Sequence, residues 1–245
     1  MKNIIDLLFL VILLVCAWSG YKKGLIMGIG GLLAIAVAIY SGSLLSETFS
    51  YEVVPAVRPF AQGYMEGKFS EAVYMNLDYE PNEDGEYEVE ISVADLIEQN
   101  PGMQRRFCVS ACRLTGIYPS TAEVIADETL EYAQENGKPL KESLVEVLCL
   151  KVAYALGFLL AFLMVLIVLT VLGNLTNLSF KIPYIGLVND LGGLALGLVT
   201  GMALCAVAAW ALKFMGILIT DEVIDSTRLV SWFMEKDYLL KYLGL

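Results

Sequence analysis

Three charged residues stand inside or beside long apolar runs of this 245-residue chain: Asp6, Lys151 and Asp190. Charge is costly inside a membrane-spanning helix, so such residues mark ion or proton pathways unless a structural role explains them. Asp6 and Asp190 are each near the start of a run, where an acid can cap a helix or reach the interface. Lys151 is near the outer, N-terminal end of its run and can extend to the interface. We therefore expect structural roles, with an ion pathway at Asp6 and a buried functional lysine at Lys151 as the alternatives.

The residues that usually support catalysis or metal binding are scarce. The chain has no histidine, which removes the commonest general base and metal ligand. Cys108 and Cys112 are four residues apart, as on one face of a helix, and no second pair completes a metal site. Residues 80–85 match part of a calcium-binding loop, but Ile91 stands where that loop needs a glutamate. We therefore expect no enzyme activity, no metal and no cofactor.

Composition indicates an integral membrane protein with an attached polar region. Hydrophobic residues make up 57% of the chain, charged residues 18%, and the mean hydropathy is +0.65. Residues 47–142 contain 19 acidic and 7 basic residues, which accounts for essentially the whole net charge of −11. Such acidity disfavours nucleic acid as a partner. The expected surroundings are a lipid bilayer, with a homo-oligomer or another membrane protein as partner.

Four apolar runs predict four transmembrane helices in two hairpins. The runs cover residues 4–18, 24–45, 145–172 and about 190–219, and the second alone is about 33 Å long as a helix. For the first run a cleaved signal peptide is the weaker alternative, because its positive region is only Lys2 and the cleavage site is poor. Residues 20–24 predict a tight connection. Asp221 can cap an amphipathic tail helix over residues 222–243.

Glycines recur every fourth residue in two of these runs. One series is Gly193, Gly197 and Gly201, and the other is Gly20, Gly24 and Gly28, followed by Gly31. Glycine stripes let membrane helices approach closely. We therefore expect these seven glycines to pack helices together, with the second helix against the fourth. The two helices also match at an offset of 170 residues, which predicts either a repeat of two parallel hairpins or merely a shared composition.

The acidic segment predicts a small α+β insertion. Alternation of apolar residues over 73–79 and 87–93, around a turn-like stretch, predicts a β-hairpin. Helices are predicted over 103–114 and 120–135, the second starting with a capping box of Ser120 and Glu123. The predicted segments are a transmembrane hairpin (1–46), the acidic insertion (47–142), a second transmembrane hairpin (143–219) and the tail (220–245).

Lysines in the short connections predict the orientation. Lys22 and Lys23 lie in the first connection and Lys181 in the third, and short cytoplasmic loops carry the excess of lysine and arginine. This basic loop region is therefore expected in the cytoplasm. Both termini and the acidic insertion are expected outside it.

Two stretches carry a family resemblance. One is the acid at position 6 followed by Gly20-Tyr21-Lys22-Lys23-Gly24, and the other is the stretch from Gly186 to Gly197. Over residues 3–46 and 145–215 the chain resembles the bacterial colicin V production protein (CvpA) family. The resemblance implies a multi-pass bacterial plasma-membrane protein that supports toxin production or export, or envelope physiology more generally.

Two functions are consistent with the sequence. The first is a non-enzymatic membrane protein that acts through helix packing and partner binding. The alternative is a small oligomeric transporter or channel subunit, for which the repeat and the three intramembrane charges would provide support.

Overall fold

The computed structural model describes residues 2–82, 87, 89–175, 186–214 and 227–235. Seven α-helices and one short 3-10 helix, Pro101–Met103, are formed there. The α-helices are α1 Lys2–Asn76, α2 Val93–Gln99, α3 Gln104–Leu114, α4 Pro119–Asn136, α5 Leu140–Leu175, α6 Gly186–Leu212 and α7 Leu229–Glu235. These residues include no strand, so the all-α prediction is confirmed for the described chain.

Three helices are long and apolar enough to cross a membrane: Ile4–Asn76, Leu140–Asn174 and Gly186–Leu212. Their outward side chains are large and apolar, as at Leu33, which is 61% exposed, and Leu160, which is 70% exposed. A soluble domain rarely leaves so much apolar surface uncovered, whereas lipid accepts it. The expected membrane-protein character therefore extends to the folded chain.

The chain forms two compact units, which we describe separately. The first unit comprises Met1–Thr48, Ala155–Leu212 and Asp221–Leu245. The second comprises Phe49–Tyr154 and Lys213–Thr220.

Within the first unit, α1 is broken at Gly24, whose φ of 80° and ψ of 180° are not helical. Before this residue, Cys16 contacts Gly197 and Gly201, and Gly20 contacts Gly193 and Gly197. This segment of α1 therefore runs antiparallel to α6. After it, the order reverses: Leu25 contacts Gly192 and Gly28 contacts Leu196. The chain therefore folds back at Gly24. The predicted connection at 20–24 is reduced to one residue, since the helix continues through Gly20 to residue 23.

Helices α5 and α7 complete the first unit. Phe158 of α5 lies against Gly42 of α1, where an added methyl group would be 3.2 Å from the phenylalanine ring. The same ring contacts Trp210 of α6 edge-on, with centroids 5.1 Å apart. Phe233 of α7 contacts Phe9 of α1 at 5.9 Å. Aromatic rings thus join the four helices at the end remote from Gly24.

The second unit has a helical core of the kind found in water-soluble domains. It is built from residues 49–76 of α1, helices α2 to α4 and residues 140–154 of α5. Its centre consists of side chains with 0% exposure: Met65, Phe69, Ala72, Val73, Phe107, Cys108, Ala111, Cys112, Ala122, Ile125, Ala126, Leu144 and Cys149. Ion pairs cross its surface, including Arg58 with Glu146 at 2.6 Å and Lys141 with Glu66 at 2.9 Å.

The predicted β-hairpin of the acidic segment is wrong. Val73 and Met75 lie in α1, and Val93 begins α2. The side chain of Ser92 accepts a hydrogen bond from the Asp95 amide and so caps α2. The alternation of apolar residues over 73–79 covers only a few residues. The sequence before it has a longer series of apolar residues at helical spacing, and this series decides the structure.

That series consists of Met65, Phe69, Ala72 and Val73, all fully buried. Their spacing is the period of one helix face. Burial of this face in the second unit keeps the chain helical to Asn76, past Pro55 and Pro59.

Three other local predictions have mixed outcomes. The helices expected over 103–114 and 120–135 are confirmed as α3 and α4. The capping box of Ser120 is wrong, because α4 begins one residue earlier at Pro119, with Tyr118 as its N-cap. Proline fits the first helical position because its missing N–H would have no partner there. Of the predicted tail helix, residues 229–235 are helical as α7, and 222–226 and 236–243 lie outside the described residues.

Candidate functional site

A close backbone contact within the first unit joins the glycines of α1 to those of α6. A methyl group added at Gly20 would collide with the Gly193 carbonyl oxygen and lie 2.8 Å from the Gly197 Cα. One added at Gly193 would lie 2.8 Å from the Gly24 Cα. The atoms met are backbone, so no side-chain rotation would relieve the collision. Glycine at these positions is what permits the two helices to touch.

The partner of the α6 stripe differs from the expected one. Gly197 and Gly201 face Leu13 and Cys16, which precede the fold at Gly24. The helix that packs on the stripe is therefore the first helical segment of α1, and not the second as the sequence predicts. Gly28, in the second segment, contacts the Leu196 side chain instead.

Gly31 differs from the other six glycines. A methyl group added there would have no atom within 4 Å. The repeat aligns Gly31 with Gly201, where a methyl group would lie 3.1 Å from the Cys16 Cβ. The two aligned glycines therefore have different surroundings, and the repeat itself stays a prediction.

Asn189 holds the fold at Gly24. Its side-chain oxygen accepts a hydrogen bond from the Leu25 amide at 3.0 Å, and the residue is only 7% exposed. Leu25 begins the second helical segment, whose first amides have no partner within the helix. A methyl group at Gly24 would collide with the Asn189 amide. We call Gly24 and Asn189 together the hinge. The sequence did not predict this contact, and the one feature that indicated it was an asparagine at the start of an apolar run.

Asp6 caps α7, which is more than 220 residues away in the sequence. Its carboxylate accepts hydrogen bonds from the amides of Arg228 at 2.9 Å, Leu229 at 3.1 Å and Val230 at 3.3 Å. A carboxylate satisfies the free amides at a helix start and interacts favourably with the helix dipole. The acid therefore has a structural partner, although not the start of its own helix.

The other charged candidates have separate environments. Lys151 forms an ion pair with Glu128 at 2.7 Å in the second unit. Asp190 lies in the first turns of α6, and its carboxylate accepts a 3.4 Å hydrogen bond from the Asn189 side chain. Lys22 lies 5.2 Å from the centre of the Trp18 ring. Lys181 is outside the described residues.

A pocket of about 240 Å³, which we name the bundle pocket, lies within the first unit. Both segments of α1 line it, together with α5 and α6. Its polar lining includes Ser19, Lys23, Thr170 and Thr200, and the rest is apolar or glycine. The Thr200 hydroxyl oxygen is buried with no hydrogen-bond partner in the described structure. This hydroxyl is a second feature that the sequence reading missed.

The cysteines of α3 are packing groups. Cys108 and Cys112 are fully buried in the core of the second unit. Burial raises the pKa of both thiols, that of Cys112 to about 12. The reactive thiolate is therefore disfavoured at neutral pH. Among the described residues, no group of three histidine, cysteine or acidic side chains could hold a metal ion.

Comparison with known proteins matches part of the chain to a family. The family model for the Colicin V production protein matches residues 118–237. No curated protein and no solved structure matches the chain. The matched region includes all of residues 145–215, the second part of the resemblance, and none of residues 3–46. Residues 118–237, just under half of the chain, therefore form a domain of the Colicin V production protein family.

Proposed function

We propose that this chain is a bacterial plasma-membrane protein that supports colicin V-like toxin production or export, and envelope physiology, without catalysing a reaction. It acts through helix packing and the binding of a membrane partner. The observation that carries the proposal is the close backbone contact of Gly20 and Gly193 in a helical bundle whose outward side chains are large and apolar. Family membership supplies the link to toxin production.

In this proposal the first unit spans the membrane four times. The fold at Gly24 divides α1 into two antiparallel segments, and α5 and α6 supply the other two spans. The hinge with Lys22 and Lys23 then faces the cytoplasm, and the second unit lies outside. The support is the lysine content of the short connections.

The orientation has a direct test with two introduced cysteines. Glu131→Cys places a thiol on an exposed position of α4, and Lys22→Cys places one beside the hinge. A membrane-impermeant maleimide should label the first in intact cells and the second only after permeabilisation. The reverse pattern would overturn the orientation.

The structure favours packing over the alternative of a transporter or channel subunit. Asp6 is engaged by three backbone amides and Lys151 by Glu128. An ion pathway is then not needed to explain either side chain. An ion-conducting protein should lose flux with Asp6→Asn, whereas a packing protein should retain its function when the helix cap survives.

Toxin production tests the proposed function. In a host that makes colicin V and lacks its own family member, the wild-type chain should restore the inhibition zone. Gly30→Leu should also restore it, because an added side chain there meets no atom within 4 Å. Gly197→Leu should not, because it forces the bundle apart. Restoration by Gly197→Leu at normal abundance, or failure of the wild-type chain in the membrane fraction, would contradict the proposal.

A further inference from the structure

The two ends of the bundle pocket differ in chemistry. Contacts along the folded α1 place Lys23 and Met27, on either side of Gly24, at the hinge end. Val15, Ile35 and Leu204 line the opposite end. From Lys23 to Val15 the pocket follows about 12 Å of helix. The bundle pocket is therefore amphipathic, with a lysine at one end and apolar side chains at the other.

The cation at the hinge end is available to a ligand. Lys23 is exposed and forms no ion pair with any described acidic residue. Its neighbour Lys22 instead lies over the Trp18 ring. Basic pockets between transmembrane helices on the cytoplasmic side are typical sites for anionic lipid headgroups.

The apolar part of the pocket is small and opens towards the lipid-facing surface. Its volume of about 240 Å³ is below the ~300–1,000 Å³ of pockets for drug-sized solutes. Val15 on its rim is 60% exposed, so the pocket opens at the surface that lipid would cover.

We propose that the bundle pocket binds one acyl chain of an anionic phospholipid, whose headgroup phosphate pairs with Lys23. This inference rests on the proposed placement of the first unit in the membrane. It adds a specific lipid to the partners of the bundle.

Two pairs of matched variants test the site. Gly31→Leu fills the pocket from a position with no atom within 4 Å, and Gly30→Leu adds the same side chain outside the pocket, also without a collision. Both should fold, because leucine is a better helix former than glycine. Lys23→Gln removes the cation of the pocket, and Lys22→Gln removes its neighbour.

The measurement is native mass spectrometry of the purified full chain in mild detergent. Phosphatidylglycerol and phosphatidylcholine with the same acyl chains are added separately. Phosphatidylglycerol should bind more tightly, and Lys23→Gln should weaken it roughly fivefold, as expected for one lysine near a headgroup. Lys22→Gln and Gly30→Leu should bind like the wild type, and Gly31→Leu should lose the bound lipid.

Three results would overturn the inference: equal binding of both lipids, no effect of Lys23→Gln, or equal binding by the Gly31→Leu and Gly30→Leu variants. Equal competition by inorganic phosphate or by a free fatty acid would also contradict it, because the site should need chain and phosphate together. Failure of the wild-type chain to enter the membrane fraction would refute the proposed function instead. A membrane-resident chain with no lipid preference would refute this inference alone.

Discussion

Substitution of Gly197 by alanine tests the glycine contact with the smallest change available. The added methyl group would collide with the Cys16 carbonyl oxygen and lie 3.1 Å from the Gly20 Cα. Both partners are backbone atoms, so the two helices must move apart. Gly30→Ala is the matched control, because its methyl group would meet no atom within 4 Å.

The expected magnitude follows from two opposing effects. Replacement of glycine by alanine in a helix contributes about 1 kcal/mol of stability in both variants. Overpacking costs about 1–3 kcal/mol, and only Gly197→Ala incurs it. Gly30→Ala should therefore be stabilised, and Gly197→Ala should be less stable than this control by about 1–3 kcal/mol.

Thermal unfolding of the purified chains in one detergent measures this difference. For a chain of this size, 1 kcal/mol shifts Tm by about 2–4 °C, so Gly197→Ala should melt roughly 2–12 °C below Gly30→Ala. Equal melting temperatures, or a more stable Gly197→Ala, would show that the helices do not touch at this position.

Three further predictions concern single side chains. Asp6→Ala removes the cap of Leu229–Glu235 and should destabilise the chain by about 0.5–2 kcal/mol, with faster hydrogen exchange confined first to that helix. Hydrogen bonding to Arg105 lowers the pKa of Asp127 in the folded chain. The pair therefore stabilises the fold above the unfolded pKa of about 3.9. This contribution is lost as pH falls through the lower pKa of the folded chain. Asp127→Asn should reduce the acid-induced fall in the free energy of unfolding by at most about 1 kcal/mol, because both side chains are about half exposed. A fall equal to that of the wild type contradicts the pairing. Cys112 should resist maleimide at pH 8 until denaturant is added, as peptide mapping would show; rapid labelling of the native chain contradicts its burial.

Local sequence signals predicted most of the helices. The apolar runs predict α5 and α6 because a bilayer requires every backbone group to bond within its own helix. The β-hairpin prediction failed because a short alternation at Val73 and Met75 was preferred to a longer helical stripe. Met65, Phe69 and Val73, at intervals of four residues, contain the signal that identifies the helix.

The site was harder to predict, because its key contacts join distant parts of the chain. Asn189 bonds to Leu25, and Asp6 bonds to the start of α7. Each donor and acceptor is an ordinary residue in its local sequence. The glycine series of α6 indicates a close contact, but the choice between the two segments of α1 depends on how the chain turns at Gly24.

The central claim is that the first segment of α1 lies directly against α6 in the membrane, and one cross-link tests it. Gly201→Cys would place its Cβ 3.1 Å from the Cβ of the native Cys16, within a few tenths of an ångström of the ~3.5–4.5 Å that a disulfide needs. Val199→Cys, at an exposed position of the same helix, is the control. Mild oxidation in native membranes, followed by mass spectrometry of the linked peptides, should give a disulfide from Cys16 within one chain for Gly201→Cys only. A linkage between two chains, or equal linkage of both variants, would contradict the account.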